Sequence, residues 1–114
     1  MITLYGIKAC DTCRKARKAL DAKGVDYRFH DLRDDGLDAE RLGAWLARLP
    51  LGTLLNRRST TWRQLDDAEK EDIDTARAHA LMLAHPTLIK RPLLDTGNDL
   101  RVGYRNGDFD DLTP

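Results

Sequence analysis

Cys10 and Cys13 are the only cysteines in the 114-residue chain, and they sit inside Lys8-Ala9-Cys10-Asp11-Thr12-Cys13-Arg14-Lys15. The pair follows a short apolar run, Ile2 to Ile7, and heads a helical pattern. A Cys-x-x-Cys between a strand and a helix in a non-secreted chain reads as a redox motif. The first cysteine falls at the helix N-terminus, where unpaired backbone N–H groups and the positive end of the helix dipole favour an anion. A thiolate is the nucleophilic form of cysteine, so this position activates Cys10. Lys8, Arg14 and Lys15 add positive charge, and Lys8 and Arg14 are candidate contacts for an anionic substrate. Cys13, one turn on, is placed to attack a mixed disulfide formed at Cys10. The plainer alternative is a pair of buried thiols filling space. A zinc site is disfavoured: two cysteines are too few, and His30, His79 and His85 lack tight ligand spacing.

A motif of this kind needs a strand before it and a helix after it, and the flanking residues supply both. Ile2-Thr3-Leu4-Tyr5 is a strand that Gly6 ends. From Asp11 to Lys23, Cys13, Ala16, Ala19 and Leu20 recur on one helical face, with Gly24 as the stop. Val25 to His30 alternates apolar and polar as a half-buried strand, and Asp31 to Gly36 is a polar turn. The first 30 residues therefore spell βαβ, with parallel pairing as the default.

The middle is helical. Asp38 caps a helix to Leu49 whose apolar stripe is Leu42, Trp45, Leu46 and Leu49, and Pro50 lies just past it. Leu51 to Leu55 is short and apolar, Asn56 to Thr61 a loop. Thr61 is the expected cap of a short helix, Trp62 to Leu65, and Asp66 to Asp72 starts another. Asp74 to Ala84 is a helix offering Ala76, Ala80, Leu81, Leu83 and Ala84 for packing, stopped by His85-Pro86. Leu93 to Asp95 and Leu100 to Gly103 are the arms of a hairpin turning at Thr96 to Asp99, and Phe109 and Leu112 anchor a last helical turn. The hairpin must extend the first sheet, because no other apolar surface exists to receive it. The expectation is an α/β, thioredoxin-like sandwich: a mixed sheet, βαβ then β-hairpin, in one domain over residues 1–114, with a helical insertion at about 37–85.

Composition bounds the function classes. Charged residues are 33% of the chain and the formal net charge is zero. With no basic excess and little aromatic interleaving, direct nucleic-acid binding is not expected. No apolar run is long enough to span a membrane. The N-terminus has no basic leader and reads as an edge of the core, and two cysteines in one local motif fit a reducing cytoplasm. Charge is blocked, however. Residues 41–65 hold five arginines and no acid, whereas residues 66–75 hold six acids and one base. The acid-free block is either a solvated face or a surface for an anion.

Arg91-Pro92 opens the first hairpin strand, opposite the cysteine loop. Arginine binds oxyanions in a planar, often bidentate manner and lowers the pKa of an adjacent thiolate. The plainer alternative is a surface arginine beside a structural proline. Most X-Pro bonds are trans, and the sequence leaves this one open.

Three segments, Ala9-Cys10-Asp11-Thr12-Cys13-Arg14-Lys15-Ala16, Leu55-Asn56-Arg57-Arg58-Ser59 and Ile89-Lys90-Arg91-Pro92-Leu93, together resemble the arsenate reductase-related family (ArsC-like, with its Spx and YffB branches) over essentially the whole chain, most nearly the YffB branch. The resemblance implies Cys10 as the catalytic cysteine, Arg91 before Pro92 as the site arginine, and Arg57 or Arg58 as the arginine of the middle segment, with Asn56 as another register. It implies a thiol-disulfide oxidoreductase, a glutathione-dependent thiol reductase with glutathione as co-substrate and no bound cofactor. Two departures point away from glutathione-linked arsenate reduction. The family's third arginine falls at about Gly103-Tyr104, with Arg101 and Arg105 as imperfect substitutes, and the arsenate enzymes have no counterpart of Cys13. The Spx branch does carry Cys-x-x-Cys, as a redox switch in a protein that binds RNA polymerase, so a regulator with that partner is the competing expectation.

Overall fold

The structure, a computed structural model, describes residues 2–114. Met1, which the sequence places at the edge of the core, lies outside the described residues. The chain divides into two compact units: Met1–Gly36 with Arg91–Pro114, and Leu37–Lys90.

The first unit holds the sheet. Strand β1 (Ile2–Gly6) leads through helix α1 (Asp11–Ala22) to β2 (Tyr27–Asp31), and β3 (Leu93–Asp95) and β4 (Leu100–Val102) complete it. The strand order is β2-β1-β3-β4. β1 and β2 are parallel, pairing Leu4 with Phe29. β3 runs antiparallel to β1, pairing Leu94 with Leu4, and β4 antiparallel to β3. The hairpin thus extends the βαβ sheet, giving the mixed-sheet, thioredoxin-like fold. Leu4, Ala16, Leu20, Val25, Leu94 and Phe109 form the buried cluster, so α1, both central strands and the C-terminal turn share one core. Each large aliphatic side chain there contributes about 1.5–3 kcal/mol by leaving water.

β2 begins two residues later than its alternation suggests. Gly24, at φ +70°, lets the chain turn: its N–H donates to Asp21 O and that of Val25 to Leu20 O. This helix-ending pattern satisfies two carbonyls of α1 and buries Val25 as its apolar contact, taking Val25 out of the strand.

The second unit is helical: α2 (Ala39–Arg48), α3 (Leu51–Leu54), α4 (Thr60–Gln64), α5 (Asp67–Lys70) and α6 (Thr75–Ala84), then a single 3-10 turn, Pro86–Leu88. Asp38 caps α2 and Asp74 caps α6, each accepting a backbone N–H. α4 starts earlier than expected because Ser59, not Thr61, is its cap: its Oγ accepts from Trp62 N at 3.1 Å, while Thr61 Oγ1 bonds Thr87 Oγ1. The buried face of α6 also differs from expectation. Ala78 and Met82, one turn apart, are fully buried, Leu81 and Leu83 half-buried, and Ala76, Ala80 and Ala84 exposed. An alanine-rich helix offers little contrast in size between its faces, so the neighbours it meets decide which one packs. Among the described residues no helix is long and apolar enough to cross a membrane.

Candidate active site

The cysteine loop leaves the end of β1, bonds Cys10 N to Ile7 O at 3.0 Å and enters α1 with Cys10 as the N-cap residue. Cys10 has extended backbone angles, and its carbonyl accepts Arg14 N–H at 3.0 Å. Both cysteines are free thiols, Cys10 half-exposed and Cys13 fully buried. Burial pushes the Cys10 thiol up, but the backbone N–H and thiol of Cys13 and the Arg91 guanidinium outweigh it and hold the pKa below the ordinary value. Burial pushes Cys13 up to about 12, and a thiolate at Cys10 pushes in the same direction. The pair is therefore asymmetric: Cys10 is the more readily ionised of the two, and Cys13 is the one that holds its proton.

Arg91 joins Cys10 as the sequence expects, and the Arg91–Pro92 peptide, left open by sequence, is cis. Pro92 is buried, and its carbonyl accepts Gly103 N–H at 2.7 Å. Lys8 and Arg14, the other candidate contacts in this unit, are exposed and engaged: Lys8 Nζ lies 3.1 Å from Asp34, and Arg14 pairs with Asp11. Arg57 and Arg58 belong to the helical unit. With Gly52, Leu55, Asn56 and Lys90 they line a cavity of about 420 Å³ there, where Lys90 Nζ donates to Gly52 O and Arg57 lies 5.8 Å from the Trp62 ring. Arg101 is committed to Asp99 and, by two bonds of 2.9 and 2.7 Å, to Asp111. Among the described residues no group of three or more His, Cys, Asp or Glu is placed to hold a metal.

Two residues that sequence did not single out position the cysteines. Asp31, 2% exposed, closes β2. Its carboxylate accepts the backbone N–H of Lys8 at 2.9 Å and those of Arg33 and Asp34 at 2.8 and 2.9 Å, tying the cysteine loop to the turn after β2. Burial pushes its pKa up, and these three N–H groups more than reverse that, leaving it below the usual carboxylate range. Asp31→Ala strands those donors and is expected to cost roughly 2–3 kcal/mol at neutral pH. Because the folded pKa is depressed, the wild type holds this stability above about pH 4 and loses it as pH falls through the folded value. Urea unfolding at several pH values checks this: the gap between wild type and Asp31→Ala should close in acid. The second residue is Gly6. A Cβ built there would stand 2.6 Å from Cys13 Sγ and 3.4 Å from the Phe29 ring. Gly6→Ala must displace a buried side chain or the strand and should destabilise by about 1–3 kcal/mol, read as a lower unfolding midpoint with Cys13 more accessible to thiol reagents.

Comparison with known proteins places the chain in a family. The chain is 39% identical over 109 residues to an uncharacterised protein of Haemophilus influenzae, covering 96% of each. It is 27% identical to the global transcriptional regulator Spx of Lactiplantibacillus plantarum, covering 100% of this chain and 87% of the relative. A solved YffB protein superposes with a TM-score of 0.92 at 48% identity over 97% of both chains. An arsenate reductase (ArsC) related protein of Brucella melitensis gives 0.79 at 44% identity, over 96% of this chain and 92% of that one. The ArsC family model matches residues 5–112, a span that holds both cysteines and the Arg91–Pro92 pair, so the chain belongs to the ArsC family, with its arsenate reductase-like thiol oxidoreductase fold.

Proposed function

We propose that the protein is a glutathione-dependent thiol reductase of the reducing cytoplasm, with Cys10 as nucleophile, Cys13 as its partner and Arg91 as the anion-binding group. The observation that carries this reading is the asymmetric cysteine pair at the head of α1, with Arg91 favouring the Cys10 thiolate. The Cys10 thiolate attacks one sulfur of a substrate disulfide. A new S–S bond forms to Cys10, and the other half departs as a thiolate that takes a proton from water. Glutathione thiolate then attacks the Cys10 sulfur, releases the second half of the substrate as a thiol and leaves Cys10 bonded to glutathione. A second glutathione thiolate attacks the glutathione sulfur and frees Cys10, or Cys13 attacks Cys10, expels glutathione, and two glutathione thiolates reduce the resulting Cys10–Cys13 disulfide. The sum is one disulfide and two glutathione molecules giving two thiols and glutathione disulfide. Once Cys10 is in a disulfide its negative charge is gone, and with it one of the influences that keep Cys13 protonated. Cys13 thus becomes a better nucleophile only after the first step.

Reduction of a small disulfide with glutathione as electron donor tests this. Wild type should turn over. Cys13→Ala should keep the chemical step while changing which reductant supports turnover. Absence of turnover in the wild type would overturn the reading. The second reading, a redox-switched regulator that binds RNA polymerase, is favoured by the Spx relative, which matches the chain end to end. It requires a Cys10–Cys13 disulfide that changes polymerase capture stoichiometrically, without turnover.

A further inference from the structure

A cavity of about 600 Å³ lies in the sheet unit, lined by Thr12, Lys15, Lys18 and Ala19 of α1 and by Tyr104, Arg105 and Asn106 of the loop after β4. Its lining contains three cations and no carboxylate. Lys15, Lys18 and Arg105 are exposed, and among the described residues none of them forms an ion pair. Most other cations near the motif are neutralised, Lys8 by Asp34, Arg14 by Asp11 and Arg101 by Asp99 and Asp111. The loop wall is fixed. Gly103 N–H donates to Pro92 O at 2.7 Å, the Tyr104 ring packs 4.8 Å from that of Phe109, and Asp108 turns its carboxylate to the Arg105 backbone N–H at 2.7 Å, leaving the guanidinium free to face a ligand. Thr12 is in the first turn of α1, two residues from Cys10, and Gly103, beside Tyr104, bonds Pro92, the neighbour of Arg91, so both walls of the cavity begin close to the Cys10 site.

We infer that this cavity is an anion subsite that holds the carboxylates of a peptide thiol or disulfide while its sulfur reacts at Cys10. The inference rests on the reductase reading and adds a substrate-selecting site to it. The volume suits a small peptide rather than a single inorganic anion. Lys15, Lys18 and Arg105 face carboxylates, Thr12 and Asn106 offer hydrogen bonds to amides, and the Tyr104 ring gives an apolar platform.

The test compares two probes in single-turnover reaction with reduced protein: glutathione disulfide, which is anionic, and bis(2-hydroxyethyl) disulfide, which is neutral. In both the Cys10 thiolate is oxidised to a mixed disulfide, one probe S–S bond breaks, and the released half leaves as a reduced thiolate. Lys18 and Arg105 are the residues to change, because both are exposed and neither belongs to the cysteine motif. An exposed charge pair is worth roughly two- to fivefold. Lys18→Ala with Arg105→Ala should therefore lower the rate ratio of anionic to neutral probe by about tenfold, and Lys18→Glu with Arg105→Glu by more. High salt should lower the wild-type ratio and raise that of the Glu variant, whose carboxylates repel the anionic probe. An unchanged ratio in both double variants overturns the subsite. A falling ratio in a protein without glutathione-driven turnover supports the subsite and overturns the reductase reading.

Discussion

Cys10→Ser should lower disulfide reduction by about 10³-fold or more while leaving the fold intact. The sulfur is the group that forms the new bond, and a serine hydroxyl at neutral pH is neither ionised nor able to form a disulfide. Cys10 is only half-buried, and its structural bonds are made by its backbone, to Ile7 O and from Arg14 N–H. The variant should therefore unfold close to the wild-type midpoint, which separates loss of chemistry from loss of fold. The measurement is initial rate with glutathione and a small disulfide, beside a urea unfolding curve. Full activity in Cys10→Ser would contradict the mechanism.

Arg91→Ala should raise the Cys10 pKa and slow the reaction by an amount that depends on the substrate. The guanidinium acts on Cys10 both as a hydrogen-bond donor and through its charge. Each unit by which the pKa rises beyond the working pH lowers the thiolate fraction about tenfold, but the more basic thiolate is also a better nucleophile, which returns about half of that on a logarithmic scale. With a neutral disulfide the net loss is about threefold per unit. With an anionic disulfide the lost cation adds to it, and about tenfold to a hundredfold is expected. Arg91→Lys keeps the charge and loses the planar fork, so it should restore much of the pKa and less of the anion preference. Rates measured with both disulfides against pH separate these two parts. An identical loss with both would mean that Arg91 does not touch the substrate.

The parts of this site that sequence made legible are those written locally. Cys10 and Cys13 declare themselves by spacing, α1 by the period of Cys13, Ala16 and Leu20, and the hairpin by its turn residues and alternating arms. Arg91 became a site residue only through its place before Pro92 and the family resemblance. What stayed hidden depends on chain segments far apart in sequence. Asp31 looks like one more acid in a polar turn until its carboxylate meets Lys8 N–H, 23 residues away. Gly6 looks like a strand terminator until Cys13 packs against its bare Cα. Arg101 and Arg105 look interchangeable beside Gly103-Tyr104, and only the bidentate bond to Asp111 shows that Arg101 is already engaged. The buried face of α6 stays hidden for a related reason: Ala78 and Met82 are chosen by the partners they meet, not by the helix's own pattern.

The fold favours the thiolate of Cys10, and ultraviolet thiolate absorbance against pH measures this directly, with Cys10→Ser as the blank and Arg91→Ala alongside. The Cys10 midpoint should lie below the ordinary cysteine value of about 8.5 and move up toward it in Arg91→Ala, with Cys13 silent until strongly alkaline pH. A Cys10 midpoint at or above the ordinary value, unmoved by Arg91→Ala, would mean that the fold does not favour the thiolate.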